Sequence, residues 1–179
     1  RGVANSYIEN KWGLGTNAYT GALRWKREVE QQISFMEESP DNFLFIRFED
    51  MVKDLKTTML DVCNHLDISF DEAMLEYNKK TSYYDVKPEN INTFKKPDVK
   101  LTEKWMSKLT KHQINVVENI AGTLLSKLKY DLIGKKIRIS IIEKGYYKLH
   151  QKIIGEIQLQ YKWRKFRIKD FLKDIKQKP

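Results

Sequence analysis

The sequence has little cysteine, proline and glycine, and each scarcity excludes a class of protein. Its one cysteine, Cys63, can form neither an internal disulfide nor a cysteine-based zinc site, which is typical of a reducing compartment. With 4 proline and 8 glycine residues against 41% hydrophobic residues, the 179-residue chain is neither a collagen-like fibre nor a low-complexity linker. No apolar run approaches the roughly 18 residues of a membrane span. A single packed domain with appendages remains.

The sequence also lacks the short motifs that mark common catalytic sites. It contains no Walker lysine motif, no Gly-x-Ser-x-Gly and no Gly-x-Gly-x-x-Gly, and Gly13-Leu14-Gly15 alone is weak evidence of a nucleotide site. The three histidines, His65, His112 and His150, stand far apart without partners at metal-ligand spacing. Spacing therefore identifies no catalytic residue, and we expect no metal.

The positive charge is confined to the last part of the chain. Residues 1–130 contain 19 Lys or Arg and 19 Asp or Glu, whereas residues 131–179 contain 14 and 5, which gives the whole net charge of +9. A neutral body thus carries a basic extension. We expect an acidic partner for the extension only, and no nucleic acid as a partner of the body.

Apolar residues at helical spacing predict a mainly helical chain with one strand. Helices are expected over 3–11, 22–38, 51–66, 71–78, 101–109 and 113–128. The apolar segment Phe43–Arg47 is predicted to be a buried strand of a parallel sheet. Helix, strand and helix in succession favour an α/β fold. The polar segment 81–100, with Tyr83 and Tyr84, is expected to be a lid or binding loop.

The basic tail has two possible secondary structures. Its apolar residues alternate in places like those of a strand, but Tyr146, Leu149, Ile153 and Ile157 are spaced as in a helix, which we predict after Glu143.

Several segments, taken in order, resemble the family of sulfotransferases that use 3′-phosphoadenosine 5′-phosphosulfate. Phe43-Leu-Phe-Ile-Arg-Phe-Glu-Asp-Met, followed by a helix ending Asn64-His-Leu-Asp-Ile, is similar to the family's "strand, R-Y-E-D-L, helix, F-L-G" segment. Here Phe48 replaces the usual tyrosine and Asp67 the usual glycine. Phe48 could touch the adenine, although a core aromatic is the favoured interpretation.

Three further segments extend the resemblance over residues 1–131. Trp105-Met-Ser-Lys-Leu-Thr and Ile120-Ala-Gly-Thr-Leu-Leu-Ser-Lys-Leu-Lys-Tyr-Asp resemble the closing helices of the family. At the other end, Arg1-Gly-Val-Ala-Asn-Ser-Tyr resembles the end of its 3′-phosphate-binding segment. Each segment is degenerate, but their order and spacing together are specific.

The resemblance implies four residues that bind the nucleotide. Ser6 stands where the family has its phosphate-binding serine, at the start of a predicted helix, and Arg1 matches the second basic residue of that motif. Lys95 and Lys96 lie where some members close a basic segment over the nucleotide. Hydroxyl, backbone N–H and cationic groups together suit a phosphate dianion. The alternatives are an ordinary helix-start serine and solvated loop lysines.

The fold that the resemblance implies is α/β, specifically the C-terminal portion of a parallel-sheet, P-loop-like sulfotransferase fold that is mostly helical in this segment. Such an enzyme transfers a sulfonate from 3′-phosphoadenosine 5′-phosphosulfate to a hydroxyl or amine acceptor, a small molecule or a glycan. In the family, the sulfonate-binding loop and the general base lie in the N-terminal half. We find neither in this sequence, so no catalytic residue is assigned, and the chain alone is expected to be incomplete and inactive.

A rival interpretation is a non-enzymatic helical module whose basic tail docks on a polyanion or an anionic membrane. Tyr161, Trp163 and Phe166 alternate there with lysines and arginines, although these aromatics could instead pack back onto the body. We place the domain boundary between 1–131 and an extension over 132–179, and expect a chain ending at Asp131 to keep its fold. The expected location is cytoplasmic, with a peripheral membrane contact through the tail.

Overall fold

The computed structural model describes residues 1–79 and 94–176, with side chains as far as residue 168. In the described part, the regular structure is helical and contains no strand. The α-helices are α1 (Gly2–Asn10), α2 (Ala18–Glu38), α3 (Phe48–Lys53), α4 (Leu55–His65), α5 (Lys104–Lys108), α6 (Lys111–Lys127) and α7 (Ile141–Lys176). Short 3₁₀ turns lie at Pro40–Asn42, Glu72–Lys79 and Val99–Thr102.

The chain divides into two compact units. The first unit contains residues 1–30 and 105–179, and the second contains residues 31–104. The basic extension therefore belongs to the same compact unit as the N-terminus, and the domain boundary at residue 131 stays a prediction. The extension joins this unit by hydrophobic burial, because Ile139 of the extension is only 7% exposed.

The core of the first unit brings together α1, α2, α6 and the segment before α7. Its buried residues are Ala4, Ala18, Tyr19, Ala22, Val116, Val117 and Ile139. A second cluster contains Trp105, Leu109 and Ile114, with Ile8 packed against it. The alanines of α1 and α2 allow close helix contact, since a small side chain lets two backbones approach.

In the second unit, α3 packs against both α4 and the turn at Val99–Thr102, and α4 packs against the turn at Glu72–Lys79. One continuous helix was predicted over 51–66, but the chain breaks at Asp54. The Asp54 carboxylate accepts a hydrogen bond of 3.0 Å from the backbone N–H of Thr57 and so starts a new helix at Leu55. Cys63 is a buried free thiol whose Sγ lies 3.7 Å from Sδ of Met74.

The predicted strand at Phe43–Arg47 is not formed, and the parallel sheet that it implied is not seen in the described residues. The backbone is extended at both ends of this segment, with φ −130° and ψ 128° at Phe43. Residues 43–46 are nevertheless exposed rather than buried. A strand needs a neighbour to bond its N–H and C=O groups, and no strand in the described part provides one. Phe48, expected in the core, is 51% exposed at the start of α3.

The tail is helical as predicted after residue 143, and the helix begins slightly earlier, at Ile141. Within the parts of the chain that the structure describes, no helix combines the length and the apolar character needed to cross a bilayer.

Candidate functional site

Arg1, the first predicted phosphate ligand, has its guanidinium enclosed by its own unit. Its Nη1 donates to Oε1 of Glu118 at 2.6 Å and to the backbone oxygen of Asp131 at 2.8 Å. The group also stacks over Trp105, 4.4 Å from the ring centre. The side chains of Arg1 and Glu118 are 8% and 4% exposed, so this is a buried ion pair. A phosphate at Arg1 would therefore have to displace a carboxylate.

Glu118 is the centre of this cluster and was not singled out from the sequence. Besides the Arg1 guanidinium, its carboxylate accepts hydrogen bonds from the backbone N–H of Ile133 at 3.1 Å and of Gly134 at 2.6 Å. These bonds join α6 to the start of α1 and to the chain after Asp131. The sequence could have indicated Glu118, because it is an acidic residue within the apolar run of α6. A charge buried at such a position must have partners.

Ser6 lies in the middle of α1 and not at its start. Its hydroxyl is exposed and accepts a hydrogen bond of 3.1 Å from the side-chain amide of Asn10. In a helix interior the backbone N–H groups bond the preceding turn, so Ser6 offers a phosphate its hydroxyl alone. Arg1 and Ser6 therefore share α1, but their polar groups bond different partners.

Lys95 and Lys96 lie in the second unit, before the turn at Val99–Thr102, and both are exposed. The hydroxyl of Tyr77 donates to the backbone oxygen of Lys95 at 2.8 Å, which fixes the main chain there. Two adjacent ammonium groups on an anchored backbone suit an anion such as phosphate. The loop aromatics Tyr83 and Tyr84 lie outside the described residues.

The structure brings together an acid–base cluster that sequence spacing did not reveal. Nε2 of His112, at the start of α6, lies 2.8 Å from Oε1 of Glu143, and the hydroxyl of Tyr147 donates to the same oxygen at 2.9 Å. The hydrogen bond from His112 lowers the pKa of Glu143, whereas burial and the nearby Glu143 carboxylate raise the pKa of Tyr147 to about 12. The His112 side chain is 57% exposed, so the cluster is a surface link between α6 and α7.

A hollow of about 540 Å³ opens beside α2 in the first unit. It is lined by Gly13, Leu14, Thr20, Leu23, Arg24, Lys26, Arg27, Glu30 and Gln151. An anionic group in it would meet three cations and one carboxylate. Arg24 is partly neutralised, because its Nε lies 2.7 Å from Oε1 of Glu28. The spacing of Arg24 and Arg27, on one face of a helix, is the signal that could have indicated this hollow.

The glycines of Gly13-Leu14-Gly15 have a packing role. Gly13 has a φ of 76°, in the left-handed region, and its backbone lies against that of Gly155. A Cβ on Gly15 would lie 2.9 Å from the Cα of Gly21. Both positions require the absence of a side chain, so the pair of glycines is explained without a nucleotide.

Comparison with known proteins gives one finding. Residues 20–129 match the family model described as "Sulfotransferase domain". No curated protein and no solved structure among those compared matches the chain. The matched range covers most of the segments on which the sequence resemblance was based, but neither Arg1 nor Ser6. Within the described residues, no group of three or more His, Cys, Asp or Glu side chains could hold a metal ion.

Proposed function

Because the chain belongs to the sulfotransferase domain family, we propose that it serves the transfer of a sulfonate from 3′-phosphoadenosine 5′-phosphosulfate to a hydroxyl or amine acceptor. The observation that carries the proposal is the family match over residues 20–129, more than half of the chain. The family supports sulfotransferase activity in general; the donor, and a carbohydrate as the first acceptor class to examine, are our extension. The nucleotide, when bound, supplies the sulfonate group.

The predicted ligands differ in how well they suit the nucleotide. The Ser6 hydroxyl is exposed on α1 and, as a neutral donor, suits a phosphate oxygen. The ammonium groups of Lys95 and Lys96 are exposed in the second unit and can balance phosphate charge. Arg1 fits less well as placed, because Glu118 already neutralises its guanidinium. We propose Ser6 in the first unit and, independently of it, Lys95 and Lys96 in the second as ligands; for Arg1 the prediction requires that its ion pair open.

We assign no general base. The pair of His112 and Glu143 has suitable chemistry, but its contacts are those of a link between α6 and α7, and the imidazole is mostly exposed. A base must lie within hydrogen-bond reach of the acceptor hydroxyl, and nothing in the described residues indicates where that hydroxyl would be.

The test is binding of adenosine 3′,5′-bisphosphate to the full chain by calorimetry, together with transfer of labelled sulfonate to phenol, amine and sugar acceptors. We expect saturable binding that weakens with salt, because cations meet phosphates. Replacing Lys95 and Lys96 by alanine should weaken binding and reduce its salt dependence. The matched control replaces the exposed Lys108 and Lys111.

Each outcome bears on a different part of the proposal. Absence of both nucleotide binding and transfer would overturn it for this chain. Binding without transfer would support the nucleotide site and agree with the expectation that the chain alone is inactive. Equal salt dependence in wild type and in the Lys95 and Lys96 variant would remove these lysines from the site.

A further inference from the structure

Helix α7 packs against the rest of its unit with a polar side. This side contains Tyr147, Gln151, Gly155, Gln158 and Lys162. They are spaced four, four, three and four residues apart and so share one side of the helix. The amide of Gln151 donates to the backbone oxygen of Gly13 at 2.6 Å and accepts from the N–H of Thr16 at 2.8 Å. The Lys162 ammonium lies 4.6 Å from the centre of the Trp12 ring. Hydrogen bonds and aromatic contacts thus attach this helix, together with Tyr147, which packs against the core and stacks on Tyr19.

Most of the apolar side chains of α7 that the structure describes point to solvent instead. Those that share one side are Ile142, Tyr146, Leu149, Ile153, Ile157 and Tyr161, and each is between 50% and 87% exposed. At about 100° per residue they fall within an arc of roughly 120°, and they extend over about 29 Å of helix. We call this set the apolar stripe. A continuous exposed stripe of this kind marks an interaction surface. Beyond Tyr161 the same arc contains Arg164 and Arg167 and is basic.

The charge of α7 indicates which partner the apolar stripe meets. Between residues 141 and 176 the sequence has ten Lys or Arg and four Asp or Glu, a balance of +6. Beyond Lys162 the described side chains are exposed all round, and Trp163 and Phe166 alternate there with Arg164, Lys165 and Arg167. Basic residues on a helix that exposes an apolar side are characteristic of helices that lie in the interface of an anionic bilayer.

We propose that α7 attaches the protein to an anionic lipid surface, with the apolar stripe in the headgroup and acyl boundary and the basic residues at the lipid phosphates. A second copy suits the stripe less well, because two helices of charge +6 would repel each other. A nucleic acid would use the charge but would leave the isoleucines and leucine uncovered. The attachment is peripheral, and it does not depend on sulfotransferase activity.

The test is cosedimentation of the full chain with vesicles of phosphatidylcholine alone or with phosphatidylserine added. We expect binding to the anionic vesicles only, with a blue shift of tryptophan fluorescence. Replacing Leu149, Ile153 and Ile157 together by glutamine should weaken binding at least tenfold. Replacing Arg164, Lys165 and Arg167 together by glutamine should weaken it roughly 100-fold, because each cation near the surface contributes about fivefold.

Both triple variants have matched controls in the same chain. Leu66, Ile68 and Met106 are 58%, 50% and 49% exposed outside α7, much like the 56%, 50% and 58% of the three stripe residues. Lys53, Lys108 and Lys111 are exposed lysines outside α7. Replacing these three removes as much positive charge as replacing Arg164, Lys165 and Arg167. Glutamine at each control position should leave vesicle binding within about twofold of wild type. Circular dichroism should be unchanged in every variant, since all these side chains are exposed.

Two alternative partners, a second copy of the chain and a polyanion, predict different results in these experiments. Either result would overturn the proposal. If the stripe joins two copies, the wild type sediments as a dimer, the apolar triple variant as a monomer, and vesicles bind neither. If the partner is a polyanion, heparin or RNA binds, and the apolar triple variant binds it as tightly as wild type. Equal binding to neutral and anionic vesicles would also contradict the role of the basic residues.

Discussion

Gly13 and Gly155, 142 residues apart in the sequence, are in backbone contact. A Cβ on Gly13 would overlap the carbonyl group of Gly155, and a Cβ on Gly155 would lie 3.1 Å from the carbonyl oxygen of Gly13. The N–H of Gly13 donates to Oε1 of Gln158 at 3.2 Å, one turn further along α7. This approach sets how closely α7 lies on its unit, so the position of the apolar stripe depends on two glycines.

Alanine at Gly13 or Gly155 should therefore destabilise the protein. We expect the free energy of unfolding to fall by about 1–3 kcal/mol for either substitution, through overpacking and, at Gly13, a positive φ. Denaturant unfolding followed by circular dichroism measures the effect. Gly145, which lies in α7 like Gly155, is the control, because a Cβ there would meet nothing within 4 Å. Gly145→Ala should raise stability by about 0.5–1 kcal/mol; equal effects at Gly145 and Gly155 would contradict the close approach.

Glu118→Ala should be among the more damaging single changes in the first unit. It leaves the Arg1 guanidinium buried without its carboxylate and removes the acceptor of the Gly134 N–H. Breaking a buried ion pair costs about 3–5 kcal/mol, which a thermal or denaturant unfolding curve would resolve. The exposed pair of Lys26 and Glu30, 3.8 Å apart, provides the comparison, and Glu30→Ala should cost less than about 1 kcal/mol. Similar costs at the two glutamates would mean that the Glu118 pair is solvated.

A chain ending at Asp131 should lose its stable fold, contrary to the expectation from the sequence. It lacks Ile139 of the core and the N–H donors of Ile133 and Gly134 to Glu118. The loss of the isoleucine alone removes about 2–5 kcal/mol. A chain ending at Lys162 is the control, because it keeps the contacts of α7 with its unit described above. The free energy of unfolding of this control should lie within about 1 kcal/mol of that of the full chain. A cooperative unfolding transition in the chain ending at Asp131 would contradict this account of the extension.

Tyr147 should titrate unusually late. Burial and then the Glu143 carboxylate raise its pKa to about 12, and the pKa of Tyr7 is also raised. In a tyrosinate absorbance titration, the Tyr147→Phe variant should lack one of the tyrosines that ionise at unusually high pH, and Tyr7 should still ionise there. Because the folded pKa lies above the usual value of 10.0, the stabilisation is complete below pH 10 and is lost as pH rises towards 12. In denaturant, no tyrosine should ionise at unusually high pH. If the ionisation assigned to Tyr147 persists in Tyr147→Phe, that assignment is wrong.

Ser6→Ala should weaken binding of adenosine 3′,5′-bisphosphate by about 1–2 kcal/mol if its hydroxyl bonds a phosphate. Calorimetry of the full chain measures this. Ser34 is a matched control, because it is also an exposed serine in a helix with an i, i+4 hydrogen bond, here 3.3 Å to Glu38. Ser34→Ala should bind the nucleotide as wild type does. If the two variants bind alike, Ser6 is an ordinary helix serine.

The sequence alone determined those features that depend on local spacing and on charge. Apolar periodicity located α2, α6 and α7 to within a few residues, because an amphipathic helix has the same repeat whatever it packs against. The charge count separated the basic extension from the neutral body. Four segments in order over residues 1–131 were enough to indicate the family, which the match over residues 20–129 then showed.

Only the tertiary structure decided which groups meet. Phe43–Arg47 has the composition of a buried strand, yet its residues 43–46 are exposed, because a strand requires a partner that composition does not specify. Arg1 has the sequence context of a phosphate ligand, but Glu118, 117 residues away, holds its guanidinium. In α7 the periodicity revealed an apolar side correctly and still could not show whether that side faces the core. The contact of Gly13 with Gly155 lies on the polar side of α7, so that side faces the unit and the apolar stripe faces solvent.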